Sequence, residues 1–265
     1  MIRRPWKSPA GKDGWALITQ IEHARLAGDL AVGWRRLPSD SPQLLQAIYH
    51  HDDGWANWEL RPDIEPESGL PRDFMEMPLA DSLPIWRESI DIAANIGPLA
   101  GYIVSRHFSV LLERGMRQWD LGEQQKLLTA TAYLRQQSAL QTRLLLQWQP
   151  DAELPTSRAK AENTLAWLQF FDGLSLWLCC QPRTEPYSFQ PPQGPDVHVA
   201  PTSAGEIEVA PWPFSQPQLC LTAAASAVSE KTYESSAALG AAPRQPLQVV
   251  WNLYPAPPEN RQTKT

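Results

Sequence analysis

Residues 168–176 read Leu168-Gln169-Phe170-Phe171-Asp172-Gly173-Leu174-Ser175-Leu176, an apolar stretch with a single carboxylate. The stretch lies in a run from about 156 to 180 whose composition predicts a long helix. A lone carboxylate in an apolar helix is costly to bury unless a partner stabilises it. The partner of Asp172 could be an arginine or a metal ion, and the carboxylate could instead cap a kink at Gly173.

Further helices are predicted on the N-terminal side of this stretch. Periodic apolar residues and helix-start signals predict helices at about 21–34, 42–51, 83–96, 98–119 and 122–148. The short apolar run Trp15-Ala16-Leu17-Ile18 fits either a strand or the first turn of a helix. A proline-containing segment at about 57–83 is predicted to be an irregular loop, and loops of this length are often functional.

The composition changes near Gln181. Eight prolines lie between Pro186 and Pro217, and prolines this dense exclude helix. Short strands are predicted at 206–209, 218–221 and 247–251. The sequence therefore predicts a mainly α protein in three parts: a helical domain at 1–181, a proline-rich, β-containing extension packed on it at 182–254, and a disordered tail at 255–265.

Charge and cysteine content limit the function classes. The net charge of −6 argues against binding to long DNA or RNA. The three cysteines fit no zinc-ligand spacing. No apolar segment of a signal peptide follows the basic start, and no apolar run reaches membrane-spanning length. We therefore expect a cytoplasmic protein without a membrane partner.

The histidines give the main functional signal. His23 lies in the first predicted helix, His51 stands before Asp52 at the end of the second, and His107 lies inside a later helix. Imidazoles and carboxylates together suit a divalent metal ion such as Mn, Fe, Co or Zn. Each of these residues also has an ordinary explanation, such as a buried hydrogen bond or a polar turn, and it is their order along the helices that favours a metal site.

Two motif-level resemblances follow from these residues. His51-Asp52-Asp53-Gly54 resembles the His-Asp-x-Gly core of the HD superfamily of metal-dependent phosphohydrolases, in which an earlier helix supplies a His and a later helix an Asp. The resemblance covers about 18–180. It implies an HD-like helical bundle and says nothing about the proline-rich β part, which we predict to be a small C-terminal appendage. The implied metal ligands are His23, His51, Asp52 and Asp172, and His107 is the candidate for a further ligand in the same shell.

The sequence also departs from the HD pattern. Trp55 stands where many HD phosphodiesterases have Lys, and only His107 lies between Asp52 and Asp172, where two-metal members carry two histidines. A full second metal site is therefore not expected. His50 is expected to point away from the site, and His198 to lie on the surface.

A second resemblance spans nearly the full length. The chain is similar to the domain-of-unknown-function family 3891, which implies no established activity. The matching segments are Gln20-Ile21-Glu22-His23-Ala24, His51-Asp52-Asp53-Gly54-Trp55, Gly69-Leu70-Pro71-Arg72-Asp73-Phe74, Ser105-Arg106-His107-Phe108, Asp172-Gly173-Leu174-Ser175-Leu176 and Pro211-Trp212-Pro213-Phe214.

The HD resemblance implies hydrolysis of a small phosphorylated molecule by a metal-bound hydroxide. His107 is then a further ligand or the general acid, Arg106 and Arg72 bind phosphate, and Asp53 positions water. Arg106 could equally be an ion-paired helix residue. Two other functions stay open: an HD-type di-iron oxygenase and a non-catalytic metal-binding protein.

Overall fold

The computed structural model describes residues 1–37, 42–120, 122–180, 185–203 and 205–257. Its helices are α1 (Gln20–Gly33), α2 (Pro42–His50), α3 (Ala56–Glu59), α4 (Leu79–Ile96), α5 (Pro98–Met116), α6 (Gln124–Trp148), α7 (Leu154–Cys179) and α8 (Ser236–Ala241). Its strands are β1 (Ile2–Lys7), β2 (Asp13–Ile18), β3 (Tyr187–Phe189), β4 (Val197–Ser203), β5 (Glu206–Ala210), β6 (Leu219–Val228) and β7 (Gln245–Pro255).

The prediction of a mainly α bundle with a small β appendage is wrong. The strands form one seven-stranded sheet in the order β1-β2-β6-β7-β5-β4-β3. Its neighbours are antiparallel except β5 and β7, which are parallel. The sheet therefore takes strands from both ends of the chain and is a major part of the fold.

The N-terminal strands β1 and β2 show why the sequence predicts too small a sheet. Strand β1 has no simple alternation of apolar residues, because Arg3, Arg4 and Pro5 interrupt it. Its partner β2 pairs with β6 through contacts such as Trp15↔Val228. Pairing between residues more than 200 positions apart leaves no local signal in the sequence.

The helices and the sheet share one core. Helix α1 packs on α2, α7 and β6, while α5 packs on α2, α4, α6 and α7. Buried residues from both layers, such as Phe171 and Trp251, belong to the same apolar cluster. Trp34, just after α1, contacts Phe171 and Phe214 with ring centroids 5.5 and 5.4 Å apart. This contact ties the segment before β6 to the helical layer.

The segment between α3 and α4 is an ordered loop. It contains one short 3-10 turn, Phe74–Glu76, whose Asp73 cap accepts from the backbone N–H of Met75. Arg72, which belongs to the loop, is buried and donates to Asp63 and to the carbonyl of Ile64 in the same loop. Hydrogen bonds within the segment therefore hold the loop in shape.

Two sequence predictions concern the ends and the membrane. Of the tail predicted to be disordered at 255–265, residues 258–265 lie outside the described residues. Among the described helices, none is both long enough and apolar enough to span a lipid bilayer.

Candidate metal centre

His23 is positioned by the first turn of α1. Thr19 caps this helix by accepting from the backbone N–H of Glu22. The buried imidazole of His23 has its Nδ1 2.9 Å from Oγ of Ser175, and that hydroxyl in turn donates to the carbonyl of Asp172 at 2.9 Å. When the single proton of the Ser175 hydroxyl goes to that carbonyl, Ser175 accepts from Nδ1 of His23, and this tautomer leaves the lone pair on Nε2. Nε2 of His23 is then directed toward Oδ1 of Asp172, 3.1 Å away.

His51 has the same arrangement. Its Nδ1 lies 2.9 Å from the carbonyl oxygen of Ile48, which can only accept, so Nδ1 carries a proton. Its Nε2 is buried and has no hydrogen-bond partner among the described residues. That atom lies 3.5 Å from Oδ2 of Asp52 and 3.4 Å from Oδ1 of Asp172. The two histidines therefore aim their Nε2 atoms at the same two carboxylates.

Gly54 allows the chain to turn after α2. Asp52 adopts φ −113° and ψ 15°, a sparsely populated backbone region where site residues often occur. The backbone N–H of Gly54 donates to Oγ of Ser89 at 3.0 Å, and a Cβ at this position would lie 2.2 Å from the carbonyl oxygen of Ile85. Only glycine permits this approach to α4, which fixes the direction of His51 and Asp52.

Two further helices complete the cluster. Helix α7 supplies Asp172 and α5 supplies His107, whose Nε2 lies 3.9 Å from Oδ2 of Asp172. Two groups of residues could each hold an ion, because the ligand atoms within each group lie within 4.8 Å of one another. The first group is His23, His51 and Asp52, and the second is His51, His107 and Asp172. Ligands held at about 2.1 Å from one ion lie roughly 3.0–3.4 Å from each other. Most of the distances in the cluster fall close to this spacing, so these His and Asp residues could hold a metal ion.

The electrostatics of the cluster favour a cation. Burial has the largest single effect on His51 and lowers its pKa, but Asp52 and Asp172 outweigh it and raise that pKa to about 9. Burial raises the pKa of Asp172, but the imidazoles of His23 and His51 hold it well below its usual value. Burial lowers the pKa of His107, with Asp172 acting in the opposite direction. The two carboxylates thus stabilise positive charge on His51, whereas burial keeps His107 neutral.

A small cavity of about 120 Å³ reaches the cluster. Asp52, His107 and Asp172 contribute to its wall, together with Gln20 and aromatic side chains. Gln20 is 1% exposed, and its Nε2 has no hydrogen-bond partner among the described residues. An amide donor buried without a partner is costly, so it points to a ligand that accepts from it.

Sequence reasoning did not assign a role to Gln20. The residue stands three positions before His23, a spacing that places two side chains on the same face of a helix. Its place in the segment Gln20-Ile21-Glu22-His23-Ala24 was a usable signal.

Other candidate residues lie outside the cluster. Asp53 is 2.8 Å from Nδ1 of the half-exposed His50. Arg106 is held by Glu113 at 2.9 Å and by Glu162 at 3.4 Å. Both are therefore engaged in pairs of their own, and the ion-paired alternative for Arg106 agrees with its contacts.

Arg72 and His198 are also separate from the cluster. Arg72 donates to Asp63 and to backbone carbonyls in the same loop. His198 is exposed on β4, with its Nδ1 2.6 Å from Oγ of Ser188. The described part of the chain therefore places no sequence-predicted arginine at the cavity.

Comparison with known proteins identifies a family but no activity. A family model described as a protein of unknown function, DUF3891, matches residues 9–230. Neither the curated proteins nor the solved structures include a significant match to this chain.

Proposed function

This chain belongs to the DUF3891 family, whose function is unknown, and we propose that it is a metal-dependent phosphohydrolase acting on a small phosphorylated molecule. One observation carries the proposal. The Nδ1 atoms of His23 and His51 lie 2.9 Å from the hydroxyl of Ser175 and from the carbonyl of Ile48, so both Nε2 atoms face the carboxylates of Asp52 and Asp172. A lone pair facing a carboxylate is repulsive unless a cation lies between them, and in a buried site that cation is either a proton or a metal ion.

The arrangement favours one ion over two. Both groups of possible ligands include His51, whose Nε2 faces Asp52 and Asp172, and one imidazole nitrogen has a single lone pair to give. The two groups are therefore overlapping choices for one ion, with His107 within reach as an additional ligand. A single ion favours hydrolysis over the alternative of a di-iron oxygenase.

The cavity favours a catalytic site over a structural one. Structural metal sites are closed by protein ligands, whereas catalytic sites keep a position for water or substrate. Here Asp52 and Asp172 line a cavity and keep 9% and 14% of their side chains exposed. A small molecule could therefore approach the ion from this side.

A bound divalent ion would act as a Lewis acid and lower the pKa of water in an open position toward neutrality. The chain's own residues have separate tasks. Ser175 and the carbonyl of Ile48 keep the protons of His23 and His51 on Nδ1. The amide of Gln20 donates to a substrate oxygen in the cavity. His107, held neutral by burial, is suited to serve as a ligand or to accept a proton, more than to act as a general acid.

The choice of a phosphate ester rests on the ligand order. The succession His23, His51-Asp52 and Asp172 resembles that of the HD phosphohydrolases. The seven-stranded sheet has no counterpart in that resemblance, so the argument concerns the site alone and not the whole fold.

The test is hydrolysis of phosphate monoesters and diesters by protein reconstituted in turn with Mn, Fe, Co and Zn. We expect metal-dependent activity that falls at least about a thousandfold in Asp52→Ala and in Asp172→Asn. Asp91→Asn changes an exposed carboxylate on α4 and should keep full activity. Absence of hydrolysis with all four metals, or full activity in Asp52→Ala, would contradict the proposal.

A further inference from the structure

A larger cleft of about 770 Å³ adjoins the cavity at the metal centre. The two share Phe74, Ser82, Trp86 and Leu111 in their walls. The cleft runs between the loop before α4, the helices α4 and α5, and the start of α6. The cleft and the cavity are therefore neighbours, with these four side chains between or beside them.

The cleft presents almost no charge. Among the described residues that line it, the one charged side chain is Lys126. Its ammonium lies 2.8 Å from a carboxylate oxygen of Glu123 and 4.1 Å from the centre of the Trp119 ring. The walls of the inner cavity contain Asp52 and Asp172 but no lysine or arginine.

Charge balance restricts the reacting group. A divalent ion would be neutralised by the two carboxylates, so no positive charge is left over for the substrate. A phosphate monoester brings two negative charges into this buried site, whereas a phosphodiester brings one. Because uncompensated buried charge is costly, the diester is favoured.

The walls of the cleft also expose apolar side chains. Met75 is 72% exposed and Leu111 is 38% exposed, and both line the cleft, as do Trp86 and Trp119. A concave apolar surface next to a few polar groups is typical of sites that bind the apolar part of a small molecule.

We propose that the substrate is a singly charged phosphodiester with an apolar arm, and that the arm lies in the cleft while the phosphate lies at the metal centre. Water would add to phosphorus and one P–O ester bond would break. The products would be a phosphomonoester that keeps the arm and an alcohol that takes the second proton of the water. The inference deepens the proposed function and rests on it.

The first test compares methyl and hexyl p-nitrophenyl phosphate as substrates of the metal-loaded protein. Burial of the longer arm should raise kcat/KM at least about tenfold. Met75→Gln, which changes the cleft alone, and Leu111→Gln should each reduce this preference. Leu146→Gln is the matched control, because Leu146 is a 50% exposed residue of α6 outside both cavities. Equal rates for the two esters would overturn the inference while leaving phosphohydrolase activity intact.

A binding measurement separates failure of the inference from failure of the proposed function. The monomethyl and monohexyl esters of methylphosphonic acid carry the same single negative charge. Each would be titrated into the protein, and calorimetry would measure its affinity. The hexyl ester should bind at least about tenfold more tightly, and Leu111→Gln should remove most of the difference, even if no ester is hydrolysed. Equal affinities, or no binding of the hexyl ester, would overturn the inference.

Discussion

The hydroxyl of Ser175 lies 2.9 Å from Nδ1 of His23, and Nε2 of the same imidazole lies 3.1 Å from Oδ1 of Asp172, among the candidate metal ligands. Hydrogen-bond partners behind a ligand typically change metal affinity about 10- to 100-fold. We therefore expect Ser175→Ala to weaken metal binding by a factor in that range, measured by competition with a chelator. Ser157→Ala is the control, because Ser157 is also buried on α7 but its Oγ has no partner among the described residues. Equal affinity in the two variants would show that Ser175 does not set the tautomer.

Replacement of Gln20 should have opposite effects on stability and activity. Its buried Nε2 lacks a hydrogen-bond partner among the described residues, and such a donor costs about 1–3 kcal/mol. Gln20→Met should therefore keep or raise the free energy of unfolding while lowering kcat/KM at least about tenfold. Urea denaturation and steady-state kinetics check the two halves. A variant with unchanged kcat/KM would remove Gln20 from the site.

Metal binding should depend on pH through His51. Its pKa in the metal-free protein is raised to about 9, so a proton occupies the cluster at neutral pH and must leave when a metal ion binds. Affinity should fall about tenfold for each pH unit below 9, and calorimetry in buffers of different ionisation enthalpy should detect proton release at pH 7.5. His198→Ala, a change at an exposed histidine, should release the same number of protons. A pH-independent affinity between 7 and 9 would contradict this assignment.

The raised pKa of His51 also makes the stability of the metal-free protein depend on pH. A raised pKa means that the folded state holds the His51 proton more tightly than the unfolded state does. Its contribution is fully present below the ordinary histidine pKa of about 6.5 and is lost as pH rises through about 9. Thermal unfolding of metal-free protein between pH 6 and 10 measures this loss, which His51→Gln should abolish.

Two glycines near the site should respond in opposite ways to alanine. A Cβ at Gly54 would lie 2.2 Å from the carbonyl oxygen of Ile85, whereas a Cβ at Gly173 would meet no atom within 4 Å. Gly54→Ala should cost about 3 kcal/mol or more of stability, and Gly173→Ala, within α7, should gain about 0.5–1 kcal/mol. Equilibrium denaturation compares them, and equal stabilities would contradict the close approach at Gly54.

The residues that the sequence proposed as ligands lie close together in the structure, whereas the predicted fold class was wrong. The ligand candidates were found because His51 and Asp52 are adjacent at a helix end and Asp172 is isolated in an apolar helix, both of which are local patterns. The helix predicted at 98–119 corresponds to α5, Pro98–Met116.

The remaining features depend on contacts distant in sequence. The pairing of β2 with β6 and the bond between Ser175 and His23, 152 positions apart, leave no periodic trace along the chain. The partners of Arg106 include Glu162 on another helix, which only the packing of α5 against α7 brings into reach.

Metal content is the most direct test of the account. Elemental analysis would compare the purified wild type with Asp172→Asn and with the control Asp91→Asn, each shown to be folded by circular dichroism. The account predicts about one Mn, Fe, Co or Zn ion per chain in the wild type and the control, and loss of that ion in Asp172→Asn. A wild-type protein that stays metal-free after reconstitution with each of these ions would contradict it.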